Sequence, residues 1–415
     1  MAQLSDDCFA FGGPLLRLDA ALDDLTTRLP IISAVETVAL SASLGRVLAE
    51  DVVAPFSIPA FSNSAVDGYA VSSGSLRSGH ALPVTQRIAA GARGVGALPE
   101  GEAARIFTGA MLPDGADIVF MQEDVRVEGG MVHLPPGLKP GANCRVAGED
   151  YREGAVIVEK GTRLKPQHVA GLAAAGLTRV RFYQRLRVGV FSTGNEIIEA
   201  GHPLPPGSQY DANRPMLLAF LAARGMEPVD LGILADDAGA IARALDAAAE
   251  HCDALLSSGG VSTGEEDHVK AALGASGRLD FWRLAIKPGR PVAMGHVGGK
   301  AFIGMPGNPA AVFVTFTRFV GPVLDRLAGA MPLRPAPFLV PAAFDYRKKR
   351  DRREYLRVAL MPGEAGLVAQ RFMKDGAALI SSLIEANALA ELEEDRERVD
   401  AGETIAVLPF AALLS

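Results

Sequence analysis

A chain of 415 residues, 49% hydrophobic and 21% charged, exceeds the size at which a single core stops growing, so two or more domains are expected. Its formal net charge of −7 excludes the global basic field that nucleic-acid binding needs. The most apolar stretch, residues 310–324, is broken by Arg318 and too short to span a bilayer, so neither nucleic acid nor membrane is an expected partner. The N-terminus lacks the order of a secretory signal. The three cysteines, Cys8, Cys144 and Cys252, form no CxxC pair, which suits a reducing compartment and makes the cytoplasm the expected location.

In chain order, Leu16, Leu18, Leu22 and Leu25 give an apolar stripe that predicts a helical pattern from about Leu15 to Glu50. Residues 55–144, rich in Gly, Pro and short Val/Ile/Phe runs, read as a small β domain. A mixed pattern follows over 145–183, with a short helix opening at Pro166. The clearest region comes next. Strands are predicted at 187–192, 228–234, 253–257, 282–286 and 301–305, with helices at 211–224, at 238–252 and after Pro309. Strands alternating with helices predict a central doubly wound, mostly parallel α/β domain. After about Pro332 the runs 338–340, 354–360, 367–372, 388–392 and 404–408 read as strands of a small β-barrel-like domain.

Ligands of open α/β sheets bind outside the carboxyl ends of the strands. Three loops there share one chemical character: Ser192-Thr193-Gly194-Asn195-Glu196, Ser257-Ser258-Gly259-Gly260 with its continuation to Gly264, and Gly304-Met305-Pro306-Gly307-Asn308-Pro309. Small hydroxyl and glycine residues before a helix let backbone N–H groups approach an anion. Neither GxxxxGK[ST] nor GxGxxG is present. The segment Lys287-Pro288-Gly289-Arg290-Pro291 adds two cations on a proline-stiffened loop, suited to an oxyanion. Glu196, Asp236, Asp237, Glu265, Glu266 and Asp267 fall in or just after strand-end loops, where carboxylates beside a phosphate suit Mg²⁺. Asp236 or Asp237 has a competing role as a helix cap. The seven histidines show no HxxxH or HxH spacing.

The segments NSAVDGYA, FTGAMLPDGAD, GEDY, FSTGNEI, YDANR, SSGGVSTGEEDHVK, LAIKPGRP and GMPGNP together resemble the MoeA family of molybdopterin molybdenumtransferases, which includes the gephyrin E domain. The matches run in family order over nearly the whole chain. The resemblance implies a split domain (15–55 plus 145–183) interrupted by the inserted β domain (56–144), then a molybdopterin-binding α/β domain (184–331) and a C-terminal β-barrel (332–415). It implies a homodimer with each cleft formed between subunits. The implied reaction takes adenylated molybdopterin and molybdate, with Mg²⁺, and releases AMP. An adenylating enzyme and apo-molybdoenzymes are the implied partners.

Carried onto this sequence, the resemblance gives Lys287 and Arg290 to molybdate, with Pro291 beside them and Arg352 or Arg353 reaching the same pocket. Ser258, Gly259 and Gly260 cradle the pterin phosphate, with Thr193 and Asn308 nearby. Glu196, Asp236 and Asp267 hold Mg²⁺ or orient water. Thr108, Asp150 and Asp67 come from the partner subunit. The chain departs from the family pattern at Ser62, where an acidic residue is usual, at Ala310-Ala311, where Val-Ser is usual, and at Ala377, where a serine is frequent. Two further readings stand beside the enzyme: a non-catalytic cofactor carrier, favoured by these departures, and a nucleotide pyrophosphatase built on a related α/β domain.

Overall fold

The computed structural model describes residues 15–77, 79–260, 279–331, 335–364 and 366–414, with 279–282 described as backbone alone. The predicted N-terminal helix forms, but only over Leu18–Arg28. Pro30 pushes its predecessor out of the helical region, and Leu29 is extended at φ −72°, ψ 130°. The helical pattern expected to continue to Glu50 therefore gives way to a strand, Val35–Ala39, which pairs antiparallel with Arg179–Tyr183. Val52 and Val53 likewise pair with Val156–Val158. Chain segments on either side of the β insertion thus share one small core of Leu48, Val52, Val158, Leu164, Leu172, Val180 and Phe182. The insertion itself holds a six-stranded sheet between Gly68 and His133.

The central unit contains β1 (Arg187–Thr193), α1 (Asn213–Ala223), β2 (Glu227–Leu234), α2 (Ala238–Ala249), β3 (Ala254–Ser258), β4 (Leu279–Arg283), β5 (Ile286–Lys287), β6 (Pro291–Val297), β7 (Lys300–Met305), α3 (Pro309–Thr315) and α4 (Gly321–Leu327). Its sheet runs β2-β1-β3-β7-β6-β4. The first four strands are mutually parallel, and β6 pairs antiparallel with both β7 and β4. β3 is buried at every position, as a strand covered on both faces must be. In α2, Ile241, Leu245, Ala248 and Ala249 form the buried face. A π-turn at Phe316–Val320 joins α3 to α4. There Pro322 has no N–H to offer the carbonyl four residues back.

Two strand predictions need correction. The run 282–286 is not one strand: β4 ends at Arg283, and the chain leaves this sheet so that β5 pairs parallel with a strand of the C-terminal unit. A run of five residues is too short for its periodicity to mark such a break. β6, absent from the sequence reading, follows directly from the Pro-Gly-Arg-Pro turn. It pairs with both β4 and β7.

The C-terminal unit contains β8 (Phe338–Pro341), β9 (Arg353–Gly363), β10 (Gly366–Arg371), β11 (Ala388–Leu392) and β12 (Thr404–Pro409), close to the predicted runs. The order is β5-β9-β11-β12-β8, with β10 on β9. A bridge between Ala342 and Ala369 brings the chain after β8 against β10 and completes a small barrel. The α/β core extends into neighbouring elements. Leu18, Ala21 and Leu25 of the N-terminal helix join it from one side, and Tyr355, Leu389 and Leu408 from the barrel.

Candidate functional site

The parallel strands β1, β3 and β7 end together, and a cleft of about 480 Å³ opens at their carboxyl ends. Thr193, Glu196, Asp236, Ser258, Gly259, Gly260 and Asn308 all line it. Gly194 makes the first loop possible. Its φ is +141°, and a β-carbon there would lie 2.7 Å from a Glu196 carboxylate oxygen, so only glycine lets the acid fold back over the loop. Asp236 and Asp237 divide the two roles that the sequence left open. Asp237 caps α2 by accepting from the Ala240 amide at 2.7 Å, whereas Asp236 faces the cleft, 3.4 Å from the Thr193 hydroxyl.

Beneath this floor, Asn213 donates to the Gly307 carbonyl at 2.6 Å and so holds the loop before α3. Its Oδ1 and the Ser192 hydroxyl are buried with no protein partner, and both residues line the cleft. Buried polar atoms are nearly always satisfied. These two are suited to a ligand carrying hydrogen-bond donors.

A second cleft, about 880 Å³, lies between the α/β unit and the barrel and shares Gly259, Gly260, Gly307 and Asn308 with the first. The two are lobes of one groove. Lys287, Arg290, Lys349, Arg352 and Arg357 bring five cations to this lobe against the carboxylates of Glu354 and Asp375, and Pro291 lies beside them. The cationic loop rests directly on α3. Gly289, at φ +102°, would place a β-carbon 2.2 Å from the Thr315 hydroxyl and 3.2 Å from the Ala311 carbonyl. Lys287 then bonds the buried Glu354 at 3.3 Å. Burial, and next Glu354, push the Tyr346 phenol well up from its ordinary value, so it stays protonated and donates to that carboxylate at 2.7 Å.

Arg352 is the arginine that reaches the groove. Arg353 turns the other way, into ion pairs with Asp19, Glu391 and Glu394. Ala311 and Ala377, two of the departures from the family pattern, line the cationic lobe, and the Ala310 amide bonds the Ala377 carbonyl at 2.9 Å. The third, Ser62, accepts from the Ala147 amide at 3.2 Å in the β insertion.

Thr108 and Asp150 line neither lobe within one chain. The Thr108 amide and hydroxyl both donate to Asp67, at 2.8 and 2.7 Å, and hold its carboxyl below the usual range. Asp267, with Glu265 and Glu266, lies outside the described residues. Sequence reasoning missed Asn213, Tyr346, Lys349, Glu354, Arg357 and Asp375. Glu354 stands two residues after the expected Arg352, on the same side of an extended chain, which was a usable signal, whereas Arg357 falls on the opposite parity. Asp375 and Tyr346 carried none.

Matches to known proteins agree with this layout. Residues 16–176 match the MoeA N-terminal region (domain I and II), 189–326 the probable molybdopterin binding domain, and 340–410 the MoeA C-terminal region (domain IV). The molybdopterin molybdenumtransferase of Haemophilus influenzae is 38% identical, over 96% of this chain and 100% of that protein. That of a Nostoc species is 35% identical over 90% and 88%. The crystal structure of the molybdopterin biosynthesis MoeA protein from Pyrococcus horikoshii OT3 superposes with a TM-score of 0.80 at 32% identity, covering 95% of this chain and 99% of that one. Fold and groove together define a multidomain α/β-plus-β protein around a molybdopterin-binding type of domain. The chain belongs to the MoeA family, and with it to the transferases of molybdenum cofactor biosynthesis.

Proposed function

We propose that the protein inserts molybdenum from molybdate into adenylated molybdopterin, with release of AMP. The observation that carries this reading is the two-lobed groove, with carboxylates over a phosphate-type cradle at one end and five cations at the other. The pterin phosphate fits the backbone of Ser258, Gly259 and Gly260. Molybdate, a tetrahedral dianion, fits between Lys287, Arg290 and Arg352. Cleavage of the phosphoanhydride puts a water oxygen on phosphorus and lets AMP leave. Glu196 and Asp236 are placed to orient that water.

The donor set suits Mg²⁺. Three carboxylates line one lobe, of which Asp211 is taken up by Arg214, and among the described residues no group of three or more His, Cys, Asp or Glu could cage a metal. Magnesium typically uses one or two carboxylates and completes its shell with water and substrate phosphate. Glu196 and Asp236 would hold it, with Asp267 as the third candidate. When bound, the ion neutralises charge on the phosphate oxygens. Thr108 and Asp150, remote from the groove of their own chain, complete the groove of a second copy in a homodimer. The four-part division 15–55 plus 145–183, 56–144, 184–331 and 332–415 remains our reading of the domains. Among the described residues no helix is long and apolar enough to cross a membrane. We place the enzyme in the cytoplasm, served by an adenylating enzyme and serving apo-molybdoenzymes.

The test is AMP release from adenylated molybdopterin with Mg²⁺, with and without molybdate. Molybdate-stimulated release supports the transferase. Tight binding without release means a carrier, the reading that Ala311 and Ala377 in the cationic lobe favour. Release indifferent to molybdate means a pyrophosphatase.

Neighbouring aspartates give a sharper check. Asp237→Ala removes a helix cap and should cost about 1 kcal/mol of stability, with turnover unchanged. Asp236→Asn should leave stability within about 0.5 kcal/mol and lower Mg²⁺-dependent turnover at least tenfold. Denaturant melts and a magnesium titration of both variants would show the split, and equal losses of turnover in the two would sink the assignment.

A further inference from the structure

Glu354 is fully buried, yet it stands at the back of the cationic lobe. One carboxylate oxygen accepts from Arg352 Nε at 2.8 Å, with Nη2 in ion-pair contact at 2.8 Å. The other accepts from the Tyr346 hydroxyl at 2.7 Å and from Lys287 Nζ at 3.3 Å. Lys287 Nζ also lies 3.4 Å from the Tyr346 oxygen. An ammonium has three N–H groups, so two are directed at the protein and one remains for the groove, where the side chain is 50% exposed. Arg352 turns one edge of its fork to Glu354 and keeps the remaining N–H groups for the groove. Backbone pairing sets the relation, since Lys287 of β5 stands opposite Glu354 of β9.

We infer that Glu354 is a positioning residue for molybdate, a buried carboxylate that clamps Lys287 of the α/β unit and Arg352 of the barrel so that their remaining donors converge on one oxyanion. The inference rests on the proposed reaction, which makes this lobe the molybdate seat. Glu354 has no opening onto the dianion and repels it through space, so its charge alone opposes binding. Its contribution is orientation. A released lysine regains several rotatable bonds, and that freedom must be lost again each time molybdate binds.

The two effects have opposite signs, and the test uses this. Glu354→Gln keeps the shape, removes the charge, and turns an amide N–H₂ toward a cation. If charge dominates, molybdate binds more tightly in the variant. If positioning dominates, the molybdate Kd of the full-length protein, read by titration calorimetry, rises about tenfold or more, the equivalent of about 1.4 kcal/mol. KM for molybdate should rise in proportion, while KM for adenylated molybdopterin stays within about twofold and kcat at saturating molybdate changes little. Tyr346→Phe, which removes one bond of the clamp and no charge, should raise the molybdate Kd by about threefold. It supplies the answer if the glutamine variant folds poorly. Unchanged or tighter binding in a folded Glu354→Gln, or no change in Tyr346→Phe, overturns the inference and leaves the reaction standing. A wild-type protein that neither binds molybdate nor responds to it removes the reaction, and this inference with it.

Discussion

Lys287→Ala should abolish most molybdate-stimulated AMP release, lowering kcat/KM by about 100- to 1000-fold, the usual consequence of deleting one preorganised oxyanion donor. Three features of its environment set that magnitude. The ammonium is fixed from behind by Glu354 and Tyr346, so little reorganisation is needed when the dianion arrives. Its strand is paired to the barrel and not to its own sheet, which carries the side chain to the boundary between the units. Its loop is seated on α3 through Gly289, so the cation keeps a fixed place relative to the Asn308 end of the phosphate lobe. Lys287→Arg keeps the charge but replaces a compact ammonium by a planar fork, and it should recover no more than about a tenth of the lost rate. The check is steady-state kinetics with molybdate varied at saturating adenylated pterin. A Lys287→Ala enzyme within threefold of wild type would remove Lys287 from the molybdate seat.

The groove was partly legible in the sequence, and the limits have physical causes. Strand ends carry Gly, Ser and Thr because a backbone that bends into a helix needs small residues. That Thr193, Ser258, Gly259, Gly260 and Asn308 line one lobe could therefore be read from local composition. Each of these residues is placed by its own loop. The cationic lobe is different, because it exists only where two units meet. Lys287 and Arg290 announced themselves through a proline-stiffened run, but Tyr346 and Glu354, the partners of Lys287, are separated from it by dozens of residues. Nothing local in the sequence says that β5 abandons its sheet to pair with β9. The N-terminal helix was overextended for a related reason. Apolar residues beyond Pro30 continue to recur, but they do so on strands that pair across the inserted domain.

A second large effect is expected far from the chemistry. Asp325, on α4 and only 4% exposed, holds two guanidinium groups at once, Arg224 buried and Arg163 partly buried. Arg163 of the segment after the β insertion bonds one oxygen at 2.8 Å, and Arg224, from the end of α1, bonds the other. Each arginine then fastens another part of the chain. Arg163 donates to the Gly45 carbonyl at 3.1 Å, and Arg224 to the Leu413 carbonyl at 3.0 Å, close to the end of the barrel unit. One carboxylate therefore ties the N-terminal unit, the α/β unit and the C-terminal segment together. Burial lowers the Arg163 value from its ordinary one, and Asp325 opposes that effect.

Asp325→Ala would leave both cations desolvated and without their shared counter-charge, a loss of about 3–5 kcal/mol for a buried pair broken on one side. In a chain of this size about 1 kcal/mol moves the midpoint by roughly 2–4 °C, so the leading calorimetric transition should fall by roughly 10 °C. The exposed Asp24–Arg28 pair on the N-terminal helix is the control. Asp24→Ala should cost less than about 1 kcal/mol, because water already solvates both partners. Asp325→Ala should also lower turnover, since α4 continues α3 through the π-turn and α3 carries one wall of the groove. A midpoint within about 1 °C of wild type would mean that the two arginines find water when Asp325 is removed, and that other contacts hold the three units together.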